Sequence, residues 1–168
     1  VNAVDSNGET PLHIAAARGR LIGTAMLIEN GAEINARDNS SATPLHFACM
    51  NGNKEAVRLL AEKGADINAR DGREFSPLHH SVLSGHEGIV ALLVEKKASV
   101  NVRDDHGSGI TPLHLACFRG EADAAKSLLD GGADINARDA DGLTPLRLAK
   151  KARQSSMVEF LESKGAKD

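Results

Sequence analysis

The sequence predicts an all-α solenoid of about five stacked helix-turn-helix repeats, joined by short hairpin fingers. Three observations predict it. A four-residue motif recurs as Thr10-Pro11-Leu12-His13, Thr43-Pro44-Leu45-His46, Ser76-Pro77-Leu78-His79, Thr111-Pro112-Leu113-His114 and Thr144-Pro145-Leu146-Arg147. The starting positions step by 33, 33, 35 and 33 residues. Glycine follows nine residues after each of the first four motif heads, at Gly19, Gly52, Gly85 and Gly120. A unit of this length cannot enclose a hydrophobic core alone and must stack on its neighbours.

Each element of the unit has a local cause. The motif Thr or Ser is a good N-cap, and Pro suits the next position because its missing donor would be unpaired there anyway. All five prolines of the chain occupy that slot. A first helix of about two turns then runs to the glycine, where the chain turns most easily without a Cβ. The second helix carries apolar residues such as Val57, Leu59 and Leu60, or Val90, Leu92 and Leu93, on its inner face. It closes at Gly31, Gly64, Gly132 and Gly165. An extended tail follows, as in Ala65-Asp66-Ile67-Asn68-Ala69-Arg70-Asp71, and Asn7-Gly8 or Asp141-Gly142 supplies turn chemistry beyond it.

These residues together, Asp-x-x-Gly-x-Thr-Pro-Leu-His at the head and Gly-Ala-Asp-Ile-Asn-Ala-Arg-Asp at the tail, resemble the ankyrin repeat family over essentially residues 1–168. The resemblance implies antiparallel helix pairs in an L-shaped solenoid, with β-hairpin fingers and a concave face built by fingers and first helices. It also implies a module that binds a protein or peptide. The units are placed at 5–37, 38–70, 71–103, 104–138 and 139–168 of one domain, with 1–4 the remnant of an upstream repeat, since Val1-Asn2-Ala3 matches Ile34-Asn35-Ala36. At the other end Arg147, Lys150, Lys151 and Glu162 replace less polar residues, as a terminal cap requires.

The third unit is irregular. Lys97 stands where the others close on Gly, Gly88 interrupts the second helix, His80 replaces the apolar residue seen as Ile14, Phe47 or Leu115, and two extra residues lengthen the next finger near His106. This junction is expected to be the softest of the array.

Composition narrows the function. The net charge of −3 with dispersed Lys and Arg gives no phosphate-binding stripe, so nucleic acid is not the expected partner. No apolar run approaches the roughly 20 residues of a bilayer span, and Val1-Asn2-Ala3 has neither half of a signal peptide. Cys49 and Cys117 fall in the same slot of units one whole repeat apart, too distant to pair, and read as small buried thiols. That fits a cytoplasmic or nuclear protein.

No constellation suggests catalysis. His13, His46, His79 and His114 sit one per layer and cannot share a metal ion; the resemblance implies that they bond neighbouring loops instead. Gly107-Ser108-Gly109 lies in a finger rather than opening a helix, and there is no nucleophile elbow or Cys-x-x-Cys. No enzyme activity, cofactor or metal is expected. Arg37, Arg70, Arg103 and Arg138, each followed by Asp, form two ladders along the fingers; the aspartates suit Asx turns, while the arginines could pair with an acidic peptide. The tail asparagines Asn2, Asn35, Asn68, Asn101 and Asn136 suit hydrogen bonding across the finger base, and by resemblance match a position open to asparaginyl hydroxylation.

Positions just before the cap and seven or eight residues after it vary while the framework repeats. By resemblance they line the concave face. The candidate partner-binding residues are Phe75, Ile110 and Leu143 along the fingers, Met50, Leu83 and Phe118 on the first helices, and Arg73, His106 and Arg119 as a polar rim with an Arg anchor. Phe75 and Phe118 are expected to face solvent. The function expected is a scaffold or targeting module, monomeric in isolation, within a larger protein; the alternatives are a structural spacer or a regulator that blocks a partner enzyme.

Overall fold

The computed structural model describes residues 1–104 and 107–168. Their helices form five pairs: α1 (Pro11–Ala17) with α2 (Leu21–Glu29), α3 (Pro44–Met50) with α4 (Lys54–Glu62), α5 (Pro77–Leu83) with α6 (Glu87–Glu95), α7 (Pro112–Arg119) with α8 (Ala122–Asp130), and α9 (Pro145–Lys151) with α10 (Ser155–Ser163). The first helices pack in one row, α1 on α3 on α5 on α7 on α9, and α2, α4, α6 and α8 form a second row behind it.

One geometry starts every first helix. The cap residue is extended, with ψ between 162° and 165°, and Pro takes the first helical position. The motif imidazole then ties each layer to the next. Nδ1 of His13, His46, His79 and His114 accepts the backbone N–H of its own cap residue at 3.0–3.3 Å. That bond places the proton on Nε2, which donates to the carbonyls of Ala42, Phe75, Ile110 and Leu143 at 3.1–3.3 Å. All four imidazoles are fully buried, so each bond satisfies a group that water cannot reach.

Leu12, Leu45, Leu78, Leu113 and Leu146 from the motif join Val57, Leu60, Val90, Leu93, Leu128 and Leu161 from the second helices in one continuous core running the length of the array. Cys49 and Cys117 lie in it as free thiols, and burial pushes each up to about 12.

The fingers are hydrogen-bonded turns, with no strand among the described residues. Asp38, Asp71 and Asp139 each close a turn through a backbone N–H bond to the carbonyl four residues on, at 3.0 Å. Their carboxylates accept two further N–H groups, as in Ala42 and Ser40 to Asp38 at 2.8 and 2.9 Å. Single backbone bonds link finger to finger, from Asn39 to Asn7, Gly72 to Ser40 and Ala140 to Ser108. The finger arginines are used internally: Arg37 Nη1 donates to the Arg70 carbonyl at 2.9 Å, and Arg70 Nη1 to that of Arg103 at 2.6 Å. Asn35, Asn68, Asn101 and Asn136 accept the backbone N–H of Asp66, Ser99, Asp134 and Lys167 at 2.7–2.8 Å, fastening each tail to the next.

The irregular third unit is packed as fully as its neighbours, with Ile89, Val90, Leu92 and Leu93 all buried. Its weakness is local. Lys97 ends α6 at φ 66°, where the equivalent residues Gly31, Gly64, Gly132 and Gly165 carry no Cβ. Lys97→Gly should therefore stabilise the array by about 0.5–1 kcal/mol, read as a rise in the urea midpoint. An unchanged or lower midpoint would show that the Lys97 backbone is unstrained.

The two ends differ. Arg147, Lys150, Lys151 and Glu162 are exposed at the C-terminal end, where Lys150 pairs with Glu162 at 3.3 Å and Asp168 at 3.0 Å. At the other end, Ile22 is 78% and Met26 57% exposed.

Candidate functional site

The fingers and the first helices bound one long inner face. Met50 and Leu83 lie half-buried on it and Phe118 stands out at 53% exposure, because each occupies the last turn of a first helix whose opposite side faces the core. Ile110 and Leu143 are half-buried at the finger bases, Arg73 and Arg119 are exposed, and His106 lies outside the described residues.

Phe75 departs from the expectation that it faces solvent. Its ring stacks on His79 with centroids 5.1 Å apart and planes 9° off parallel, and meets the edge of His80 at 5.8 Å. The imidazole that staples layers three and four thus doubles as a platform, leaving Phe75 half-buried. Sequence periodicity locates a ring on a face but not the neighbouring ring that covers it.

Between the second and third fingers the face deepens into a groove of about 510 Å³, walled by Ser40 and Ser41 on one side and Gly72 and Arg73 on the other, with Phe47, Met50 and His80 on its floor. This groove brings the candidate residues Met50 and Arg73 together. His80 Nε2 donates to Asp71 Oδ2 at 2.7 Å. Burial alone would raise the Asp71 carboxyl, but this bond and the N–H groups of Phe75 and Arg73 outweigh it and hold the carboxyl down at about 2. Sequence reading singled out His80 as a departure from the apolar column but missed its partner nine residues back. The signal was available, since a finger Asp stands nine residues before that column in four of the five units.

A half-buried carboxylate breaks a second pattern. The residue before each second helix reaches back to the end of the preceding first helix: Asn53 Nδ2 donates to the Ala17 carbonyl at 2.8 Å, His86 Nε2 to Met50 at 3.2 Å, and Gln154 Nε2 to Phe118 at 3.3 Å. Glu121 holds the equivalent place opposite Leu83 and cannot donate when ionised. Its Oε1 takes Arg119 Nε at 2.6 Å, while its buried Oε2 has no partner. Glu121→Gln keeps an acceptor for Arg119 and adds the donor the other layers use, so it should stabilise the array by about 1 kcal/mol. A fall in melting temperature for this variant would show that the ionised side chain is preferred there.

A third feature was only partly legible in the sequence: Ile14, Ala15 and Ala16 read as apolar near an exposed end, while Leu21, Ile22 and Met26 went unread. Pro11, Ile14, Met26 and Leu27 line an apolar groove of about 550 Å³ at the N-terminal end, beside the exposed pair Leu21 and Ile22. In the other units that pair is Lys54-Glu55, Glu87-Gly88, Ala122-Asp123 and Ser155-Ser156.

Comparison with known proteins places this geometry. A stretch of 55 residues is 49% identical to the serine/threonine-protein kinase VIK of Arabidopsis thaliana, covering 33% of this chain and 13% of that protein. Another of 61 residues is 41% identical to the tyrosine-protein kinase HTK16 of Hydra vulgaris, covering 36% of this chain and 8% of the kinase. A third, of 55 residues, is 40% identical to human Rabankyrin-5, covering 33% of this chain and 5% of that protein. The chain thus matches only a small part of each of these longer proteins. Models of ankyrin repeats match residues 1–48, 26–104 and 78–168. With capped helix pairs, imidazole staples and finger turns recurring through the same residues, this chain belongs to the ankyrin repeat family.

Proposed function

We propose that residues 1–168 act as a single non-catalytic domain that binds a protein or peptide on its inner face, as a scaffold or targeting element of a larger intracellular protein. Ankyrin repeats in general mediate protein–protein interactions without catalysis. The observation that carries the reading here is Phe118, a large ring left 53% exposed on the same face as Met50, Leu83 and the groove beside Arg73. An aromatic anchor beside apolar neighbours and an Arg rim is the composition of a binding hot spot. The nearest titratable pair, His80 with Asp71, is a closed hydrogen bond with no nucleophile bonded to it among the described residues, which favours a recognition role over chemistry. The domain works as a monomer, with neither nucleic acid nor membrane as its ligand.

The test is selection of short random peptides on the whole chain, followed by affinity measurement with variants. Phe118→Ala and Leu83→Ala should each weaken the selected peptides by more than about fivefold, while Ile22→Ala at the far end leaves them unchanged. Peptides that ignore both inner-face variants and respond to Ile22→Ala would move the site to the N-terminal end. Phe75→Ala is a poorer probe, because it also removes the stack on His79.

A further inference from the structure

Resting on the reading that the inner face holds a partner, we propose the chemistry of that partner. It is an extended acidic segment with a large apolar residue at every third position, and a carboxylate three residues beyond the last of them.

The spacing comes from one slot of the repeat. Met50, Leu83, Phe118 and Lys151 are each the seventh residue after a cap, in consecutive layers, and the first helices that carry them pack in one row. Packed helices stand about 8–10 Å apart. A polyproline II chain advances about 3.1 Å per residue with three residues per turn, so three residues span one layer and return the next side chain to the same side. Apolar side chains at every third position would then meet Met50, Leu83 and Phe118 in turn, and the next such position would meet the exposed ammonium of Lys151.

The charge comes from which groups on this face are already spent. Asp71 is held by His80 and the N–H groups of Phe75 and Arg73. Asp104 accepts from Ile110 N–H at 2.6 Å, Glu74 pairs with Arg70 at 3.4 Å, and Glu121 pairs with Arg119. Arg73 and Lys151 have no carboxylate partner among the described residues. Arg73 also borders the groove whose floor is Phe47 and Met50. So although the whole chain carries −3 and Asp141 stands exposed on the last finger, the binding face offers unpaired cations at both ends of an apolar row. A carboxylate beside the first apolar residue and another after the third complete the match, and Arg73 can take the first in a bidentate pair.

Fluorescently labelled synthetic peptides test this directly. One has Leu at every third position with Glu between and after; its controls carry Lys for Glu, or the same residues at two-residue, four-residue or helical heptad spacing. The three-residue acidic peptide should bind most tightly, weaken at least about fivefold with Arg73→Glu or Lys151→Glu, and lose affinity as salt rises. Equal or tighter binding of the Lys peptide overturns the charge assignment, and preference for heptad spacing overturns the extended chain in favour of a helix. In either case, loss of binding on Phe118→Ala keeps the inner face as the site. Binding that ignores every inner-face variant removes the underlying reading as well. Failure of all these peptides to bind below about 1 mM, while library-selected peptides still depend on Phe118, overturns the proposed chemistry alone.

Discussion

Acidification from neutral to about pH 4.5 should cost the fold on the order of 5 kcal/mol, a large share of the roughly 5–15 kcal/mol that holds a domain together. Burial is the main cause. It holds His46 and His79 down at about 4 from an ordinary 6.5; at His46 the neighbouring His80 adds to the effect, while the carbonyls of Phe75 and Ile110 partly oppose it. His114 is lowered for the same reason. Above pH 6.5 these side chains are neutral both folded and unfolded, and the stabilising difference is whole. Between 6.5 and about 4 the unfolded chain binds protons that the folded chain refuses, so stability falls as pH drops. His46 and His79 each contribute about 3 kcal/mol to the full loss. Asp71 titrates lower still, toward about 2, and leaves this window untouched. Urea midpoints followed by far-UV circular dichroism at several pH values will read the slope. A midpoint flat from pH 7 to about 4.5 would mean that the staples protonate without breaking, against the bonding scheme described above.

Leu93→Ala should destabilise the whole array by about 2–5 kcal/mol. Leu93 is fully buried in α6, the helix that packs on both α4 and α8. Because the core runs without interruption from Leu12 to Leu161, the loss should lower one shared transition rather than melt a single repeat. The chain contains neither Trp nor Tyr, so circular dichroism and amide exchange are the appropriate probes. Two resolved transitions in the variant, with the outer repeats keeping the wild-type midpoint, would show that the layers fold independently.

The framework was legible because it is built from local rules repeated five times. A cap residue, a proline at the first helical position and a glycine at positive φ act within a few residues of themselves, so period and motif were enough to place the helices. The structural use of the finger aspartates followed from the same short-range bonding, whereas each tail asparagine bonds the backbone of the next unit, 31 or 33 residues on. What stayed hidden depends on side-chain pairs, within the third unit or between neighbouring layers, that periodicity does not specify. Phe75 lies half-covered because His79 is beneath it, His80 finds Asp71 across a finger, and Glu121 is left without a donor only because Leu83 of the previous layer stands opposite. The second-helix part of the apolar N-terminal patch was missed for another reason. Leu21 and Ile22 fit a helical pattern well, and only alignment with Lys54-Glu55 and Ala122-Asp123 marks them as facing outward.

The central claim is that the inner face, and not either end, receives the partner. Amide chemical-shift changes across the whole chain, recorded while a library-selected peptide is titrated in, test it most directly. The account predicts changes concentrated at Met50, Leu83, Phe118 and the fingers around Arg73, with α2 and α10 silent. Changes centred on Leu21, Ile22 and Met26, with the inner face unmoved, would contradict it.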